Sequence, residues 1–151
     1  MQADDRSQEP VLATLQGLVD AWHRAAATGD FDAYFGRMTE DAVFLGTDAT
    51  ERWVGVEFRD FARPYFDGPT AYGDGAWTYE PLERFVSVSN RGDVAWFDEL
   101  LRNEKYGVCR GTGVLVRGRV GWKIAHYSLS FMVPNEVAGD VVDVIGADEA
   151  P

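Results

Sequence analysis

The feature that most constrains this chain is a change of hydrophobic period near Trp77. Before it, apolar residues recur every three or four positions; after it, they alternate. Val11, Leu15, Leu18 and Trp22 form one stripe, widened by Leu12 and Val19, which predicts a helix over 7–28. Ser7 would cap it, Pro10 is tolerable in a first turn, and Gly29 would stop it. Asp30 would cap a short helix over 31–38, and 41–47 reads as a short strand. A turn-rich stretch leads to Trp53, and 55–66 reads as a helix that Pro64 should kink or end. Gly68, Pro69, Gly73 and Gly75 make the next loop. Beyond Trp77 the predicted strands are 77–89, 94–103, 107–117 and 121–133, joined by hairpin connections. A last helix is predicted over 135–145, with Asn135 as its cap.

Helices first and a long meander second mean an α+β fold. The prediction is a single domain over 8–146, with tails at 1–7 and 147–151: a cone of helices on a long, curved, antiparallel or mixed sheet. At 151 residues one domain with a sizeable core is the natural count. Five Trp, six Tyr and nine Phe within a 46% hydrophobic chain argue against disorder.

The formal net charge of −11 argues against a nucleic-acid partner, which needs a basic footprint, and disfavours an anionic membrane surface. The charge is uneven. Arg102, Lys105, Arg110, Arg117, Arg119 and Lys123 stand against Glu104 within 102–123, a net +5 that leaves −16 elsewhere. No apolar run reaches the roughly 20 residues of a membrane span. MQADDRSQEP has no basic start or apolar stretch of a secretory leader, so a cytoplasmic protein is expected. Cys109 is alone, and with only His23 and His126 a structural zinc site is not expected.

The turns suggest a register and hence two faces. Around 103–107, Glu99 would oppose Arg110, Asp98 Gly111 and Trp96 Gly113. Around 117–121, Arg110 would oppose Ser128, Thr112 His126 and Gly113 Ala125. One face then holds Phe97, Glu99, Arg110, Thr112, Val114, Trp122, Ile124, His126 and Ser128. The other holds Trp96, Asp98, Leu100, Gly111, Gly113, Leu115, Ala125, Tyr127 and Leu129. Glycines inside a strand mark a close approach or make room. A one-residue slip or a bulge exchanges the faces. Both mix large apolar residues with a few polar ones, so both should be covered. One would line a cavity and the other would meet a second copy, a homodimer through the sheet.

Several segments together resemble the SnoaL-like branch of the nuclear transport factor 2-like superfamily, a branch of small bacterial proteins. They are Asp41-Ala-Val-Phe44, Gly46-Thr47-Asp48, Glu51-Arg52-Trp53, Pro64-Tyr65-Phe66 and Ala95-Trp96-Phe97-Asp98-Glu99. Arg110 to Leu115, Gly121-Trp122-Lys123-Ile124-Ala125 and Pro134-Asn135 complete the likeness, which covers about 8–138. The resemblance implies a concave ligand-binding face and a convex face that often dimerises. It also implies isomerase, dehydratase or cyclase chemistry, or none at all, since the superfamily includes binding and assembly domains. Its enzymes generally use a pocket carboxylate or histidine without metal or cofactor.

On that basis the Trp96, Asp98 and Tyr127 face is taken as concave. Asp98 is the candidate acid/base, desolvated by its neighbours, and Tyr127 would stabilise an oxyanion on an apolar ring or enone. The competing reading of Asp98 is a carboxylate bonded to Tyr127 or solvated. The rival cluster is Glu99, Arg110 and His126, where Arg110 would anchor a weakly anionic ligand and His126 would move a proton. Its structural alternative is an ion pair with a satisfied histidine at a dimer interface. Trp53, Tyr65, Trp77 and Trp96 are candidate ligand walls or plain core. Trp22 is expected in the core or cavity wall, His23 at the surface, and Asp48 at the cavity mouth or in turn chemistry. Two functions stay open: a cofactor-free acid/base enzyme, which needs its carboxylate to face open volume, and a non-catalytic ligand-binding or dimerisation module.

Overall fold

A computed structural model describes residues 5–67 and 77–149. The predicted loop glycines 68, 73 and 75, and Pro69, lie outside the described residues. Helix α1 (Asp5–Thr28) and α2 (Phe31–Phe35) precede strands β1 (Met38–Leu45) and β2 (Arg52–Val54) and helix α3 (Val56–Asp67). Strands β3 (Glu80–Val88), β4 (Val94–Asn103), β5 (Gly107–Gly118) and β6 (Gly121–Phe131) follow. A 3-10 turn (Asn135–Val137) leads into α4 (Ala138–Glu149). The six strands form one mixed sheet in the order β2-β1-β6-β5-β4-β3, with only the β1–β6 pair parallel.

The α+β architecture, the helices and the meander are as the sequence predicts. Differences concentrate at element ends, where local signals compete. The first helix starts before Ser7, so Ser7 lies inside it and not at its cap. Asp30 does cap α2, accepting a bond from the Ala33 amide. That helix ends at Phe35, because Met38 has already joined the sheet beside Ile124. Pro64 sits inside α3, which ends three residues later at Asp67. Asn135 is no cap; it begins the 3-10 turn, and helix then runs on to Glu149 through much of the predicted tail. The short strand β2 falls in the predicted turn-rich stretch. Gly55, at φ 55°, turns from it into α3 where a Cβ would stand 2.7 Å from the Glu40 carbonyl oxygen.

The β4–β5 register differs from the predicted one by a single step, with large consequences, and the β5–β6 register by two, with Arg110 opposite Ser130, Thr112 opposite Ser128 and Gly113 opposite Tyr127. Asn103 pairs with Gly107 across three loop residues. The Asn103 side-chain oxygen accepts bonds from the Lys105 and Tyr106 amides, both at 2.9 Å, and Gly107 takes φ 70°. Glu99 therefore opposes Gly111, Phe97 opposes Gly113, and Asp98 opposes Thr112. A step of one moves every β4 side chain to the other face relative to β5. Between β5 and β6, Val114 pairs with His126 but Leu115 pairs with Ile124, a bulge at Ala125 that puts Ile124 in the core and His126 outside.

The core lies between the helices and the inner sheet face. Leu15, Val19, Trp22 and Ala26 bury one stripe of α1 against Phe97, Leu101 and Tyr127. Tyr34, Phe35, Phe58 and Phe66 join them from α2 and α3. The described helices include none long and apolar enough to cross a membrane.

Candidate functional site

Glu99 is the deepest charged group of the site, with only 1% of the residue exposed. Its Oε1 lies 2.6 Å from His23 Nε2 and accepts a 2.8 Å bond from the Tyr127 hydroxyl. Its Oε2 accepts from Arg84 Nε at 2.7 Å. Arg84 Nη1 donates to Asp20 Oδ1 and Gln16 Oε1, both at 2.8 Å. Gln16, Asp20 and His23 follow each other at helical spacing, so α1 presents a polar stripe beside its apolar one.

Two inner-face glycines make this packing possible. A Cβ on Gly111 would fall on the Tyr127 hydroxyl, close to Glu99 Oε1. A Cβ on Gly113 would stand 2.5 Å from ring carbons of Phe97. The predicted link between strand glycines and close approach holds, with Tyr127 and Phe97 as the approaching groups.

Burial by itself would raise the Glu99 pKa. The bond and charge of His23, the charge of Arg84 and the Tyr127 bond outweigh it, so the carboxyl sits below its ordinary range and is ionised. Burial first, and then the Glu99 charge, pushes the Tyr127 phenol well up. Tyr127 therefore stays protonated and donates. With the carboxylate as acceptor, His23 Nε2 carries the hydrogen and Nδ1 is the ring nitrogen left for other chemistry.

Of these groups His23 and Tyr127 border an aromatic cavity of about 30 Å³, walled also by Trp22, Tyr34, Phe44 and Trp77 among others. Trp22 stacks on Tyr34 at 4.8 Å and meets Tyr127 edge-on at 4.7 Å. The Trp22 indole N–H is buried with no acceptor among the described residues. Phe44, Trp77, Tyr79 and Leu129 also line a wider mouth of about 390 Å³, so the two spaces share these four walls. Phe61 and Tyr65 add aromatic wall there, and Thr47, Glu51, Lys105 and Tyr106 add a polar rim. His23 and Tyr79 also border an outer cleft of about 380 Å³ with Asp20 and Arg24.

The sequence-derived candidates separate accordingly. Tyr127 and Trp77 line the cavity, Glu99 stands behind it through its bonds to Tyr127 and His23, and Tyr65 stands at its mouth. Trp53 stacks on Phe61 at 4.4 Å, one layer behind that wall. Asp98, Trp96 and Arg110 are exposed on the outer face, and half-buried His126 is outside with them. Glu99 does not pair with Arg110, whose cross-strand neighbours are Leu100 and Ser130. The acid/base assignment of Asp98 depended on the register that the Asn103 loop shifts, and it fails with it. Asp48 does turn chemistry, bonding the Thr50 amide and hydroxyl, which holds its carboxyl below the usual range. His23, expected at the surface, is 6% exposed and central. Gln16, Asp20 and Arg84 were not anticipated. The signal for Gln16 and Asp20 is their spacing with His23 beside the Leu15, Val19, Trp22 stripe, whereas Arg84 comes from β3 and has no such local mark.

Among the described residues, no group of three His, Cys, Asp or Glu side chains is placed to hold a metal. A model of the SnoaL-like domain matches residues 15–134. No curated protein matches the chain. Among solved structures, a nuclear transport factor 2-like protein of unknown function from Pseudomonas putida is 17% identical, with a TM-score of 0.67 over 83% of this chain and 89% of that one. A Mycobacterium tuberculosis protein of unknown function is 22% identical, with a TM-score of 0.65 over 95% and 89%. A Novosphingobium aromaticivorans protein, with a proposed assignment as an aromatic ring hydroxylase, is 23% identical, with a TM-score of 0.56 over 80% and 87%. At these identities the likeness concerns the fold.

Proposed function

We propose that this chain, which belongs to the SnoaL-like domain family, binds a small, flat, largely apolar molecule and transfers a proton on it without a cofactor. The observation that carries this reading is the ionised Glu99 held between His23 and Tyr127 at an aromatic cavity. A buried carboxylate on Nε2 fixes the imidazole's orientation and hydrogen placement, which is how a histidine is prepared for acid/base work. His23 is then the catalytic group and Glu99 its positioning residue. The Tyr127 hydroxyl is engaged by Glu99, so the Trp22 indole N–H, a cavity-wall donor with no acceptor among the described residues, is the donor this reading assigns to a ligand oxygen. A mouth of about 390 Å³ suits a small ring system. Lys105 on the rim suits a weakly anionic end.

The chemistry would be proton exchange at a carbon beside a carbonyl. His23 takes the proton, the electron pair moves onto the carbonyl oxygen, and the same group returns a proton to carbon. A flat ketone, 2-tetralone, incubated with the protein in deuterium oxide tests this. Exchange above buffer, lost in His23→Gln and reduced in Glu99→Gln, supports the reading. Saturable binding of 2-tetralone with exchange no faster than buffer would overturn the catalytic part.

A second reading, a non-catalytic binding module, is favoured by the size of the inner cavity. About 30 Å³ holds little more than one water molecule, because Trp22, Tyr34 and Tyr127 fill the rest. In that case the polar cluster orders the core, and the mouth alone holds ligand.

A further inference from the structure

His23 lines the inner cavity of about 30 Å³ but not the mouth of about 390 Å³, where a ring would rest. Four side chains wall both spaces: Phe44, Trp77, Leu129 and Tyr79. Three of them are held in place. Phe44 stacks on Phe58 at 4.4 Å and on Tyr127 at 5.7 Å. Trp77 meets Tyr65 at 5.5 Å, Phe66 at 5.6 Å and Tyr34 at 6.2 Å. Leu129 is 8% exposed in β6, paired with Gly111.

Tyr79 differs from these three. It precedes β3 and lies outside the sheet. Its backbone is pinned next door, where Asn103 Nδ2 donates to the Thr78 carbonyl at 3.0 Å. Its half-buried ring packs against the core, but among the described residues the ring has no aromatic partner and the hydroxyl no hydrogen bond. Burial first, then the charges of Cys109, Tyr106 and Glu51, pushes the phenol up. The hydroxyl end therefore stays protonated and lies toward Tyr106 and Glu51 on the mouth.

There is room on the other side of that ring. Helix α1 closes on β3 through Gln16, Asp20 and Arg84. Farther along the same helix, Asp20, Arg24 and Ala27 share one face and meet Tyr79 and Pro81 across the outer cleft of about 380 Å³. Among the described residues, Tyr79 is the side chain common to the mouth, the inner cavity and the outer cleft.

We propose that Tyr79 is the movable partition that decides which ligands reach His23. Its ring turns from one staggered well to another, into the outer cleft, and the inner cavity then opens onto the mouth. The stacked walls stay where they are, because a packed core moves in discrete steps and only this side chain has vacant volume beside it. The opened space is of the size of ordinary small-molecule sites, roughly 300–1,000 Å³. The proposal rests on the ligand-uptake reading above and adds a specificity-determining residue to it.

The consequence is binding in two steps, docking at the mouth followed by passage of the partition. Stopped-flow tryptophan fluorescence with 2-naphthol tests this, since Trp77 walls the mouth and Trp22 the inner cavity. The wild type should show a fast phase that depends on ligand concentration and a slow phase that does not. Tyr79→Ala removes the partition and should abolish the slow phase, bringing the whole signal in about tenfold faster or more. Ala27→Trp fills the outer cleft and should slow that phase by about tenfold or more, with the fast phase unchanged. Tyr79→Phe keeps the ring and should keep the slow phase. Circular dichroism checks each fold, and the opposite signs of Tyr79→Ala and Ala27→Trp are not what a loss of folded protein produces. A slow phase that either Tyr79→Ala or Ala27→Trp leaves unchanged overturns the assignment. Wild-type binding in a single fast phase overturns it too, with uptake at the mouth left standing. A wild type that does not bind 2-naphthol overturns both the partition and the uptake reading.

Discussion

His23 Nε2 and Glu99 Oε1 stand 2.6 Å apart although 76 residues separate them in sequence. The contact ties the first helix to the middle of the sheet, and Arg84 locks it from the third strand. Replacing Glu99 by glutamine keeps the shape and removes the charge. It leaves Arg84, whose side chain is 4% exposed, with the half-exposed Asp20 as its remaining counterion. Breaking a buried pair from one side costs about 3–5 kcal/mol. Urea denaturation of Glu99→Gln should show a loss of that size, and a loss under about 1 kcal/mol would mean the cluster is not stabilising.

The same pair sets the acid limit of stability. The Glu99 pKa is lowered in the folded state from 4.5. Its contribution is therefore complete above that value and is lost as the pH falls through the lower, folded one. The stability difference between wild type and Glu99→Gln should stay level near neutrality and shrink below about pH 4.5. Denaturation midpoints at several pH values measure this directly.

At the alkaline end the buried phenols act. Burial raises Tyr34, Tyr127 and Tyr79, with the Tyr79 charge adding at Tyr34 and Glu99 at Tyr127. Their contribution is present below pH 10 and is lost as the pH rises through the raised values. Phenolate absorbance should show no more than three of the six tyrosines ionising before the fold opens, with the rest released together.

Two glycines should respond with opposite signs. Gly111→Ala places a methyl on the Tyr127 hydroxyl, so it should destabilise the chain by about 2 kcal/mol or more. Gly17 lies within α1, and a Cβ there meets nothing within 4 Å. Gly17→Ala should stabilise by about 0.5–1 kcal/mol. Thermal melts of both variants check the pair.

Much of the fold was readable in the chain. The change of period at Trp77 separates helices from meander, and the β4 bounds agree with prediction at both ends. Tyr127 and Glu99 were singled out as candidates, but on opposite faces. The difference lies in one loop residue: Asn103 bonds two amides and closes a three-residue turn, whereas the pairing of Glu99 with Arg110 needs a two-residue one. That step carried Asp98 outward and Glu99 inward. The Ala125 bulge then moved Ile124 and His126 to opposite faces. His23 was missed for a different reason. Helical spacing places it at the edge of the apolar stripe, and only the position of Glu99 across the core shows that this edge is covered. Local pattern encodes periodicity well, whereas a buried polar cluster depends on register between distant segments.

The central claim is that the aromatic space beside His23 and Glu99 takes up a small apolar molecule through its mouth. Titration of the wild-type chain with 2-naphthol, followed by tryptophan fluorescence, tests it most directly. Thr47 is an exposed residue of that mouth, so Thr47→Trp obstructs entry while leaving the core alone. Saturable one-to-one quenching in the wild type, abolished in Thr47→Trp, is the expected result; no saturable binding, or binding unchanged by the tryptophan, would contradict it.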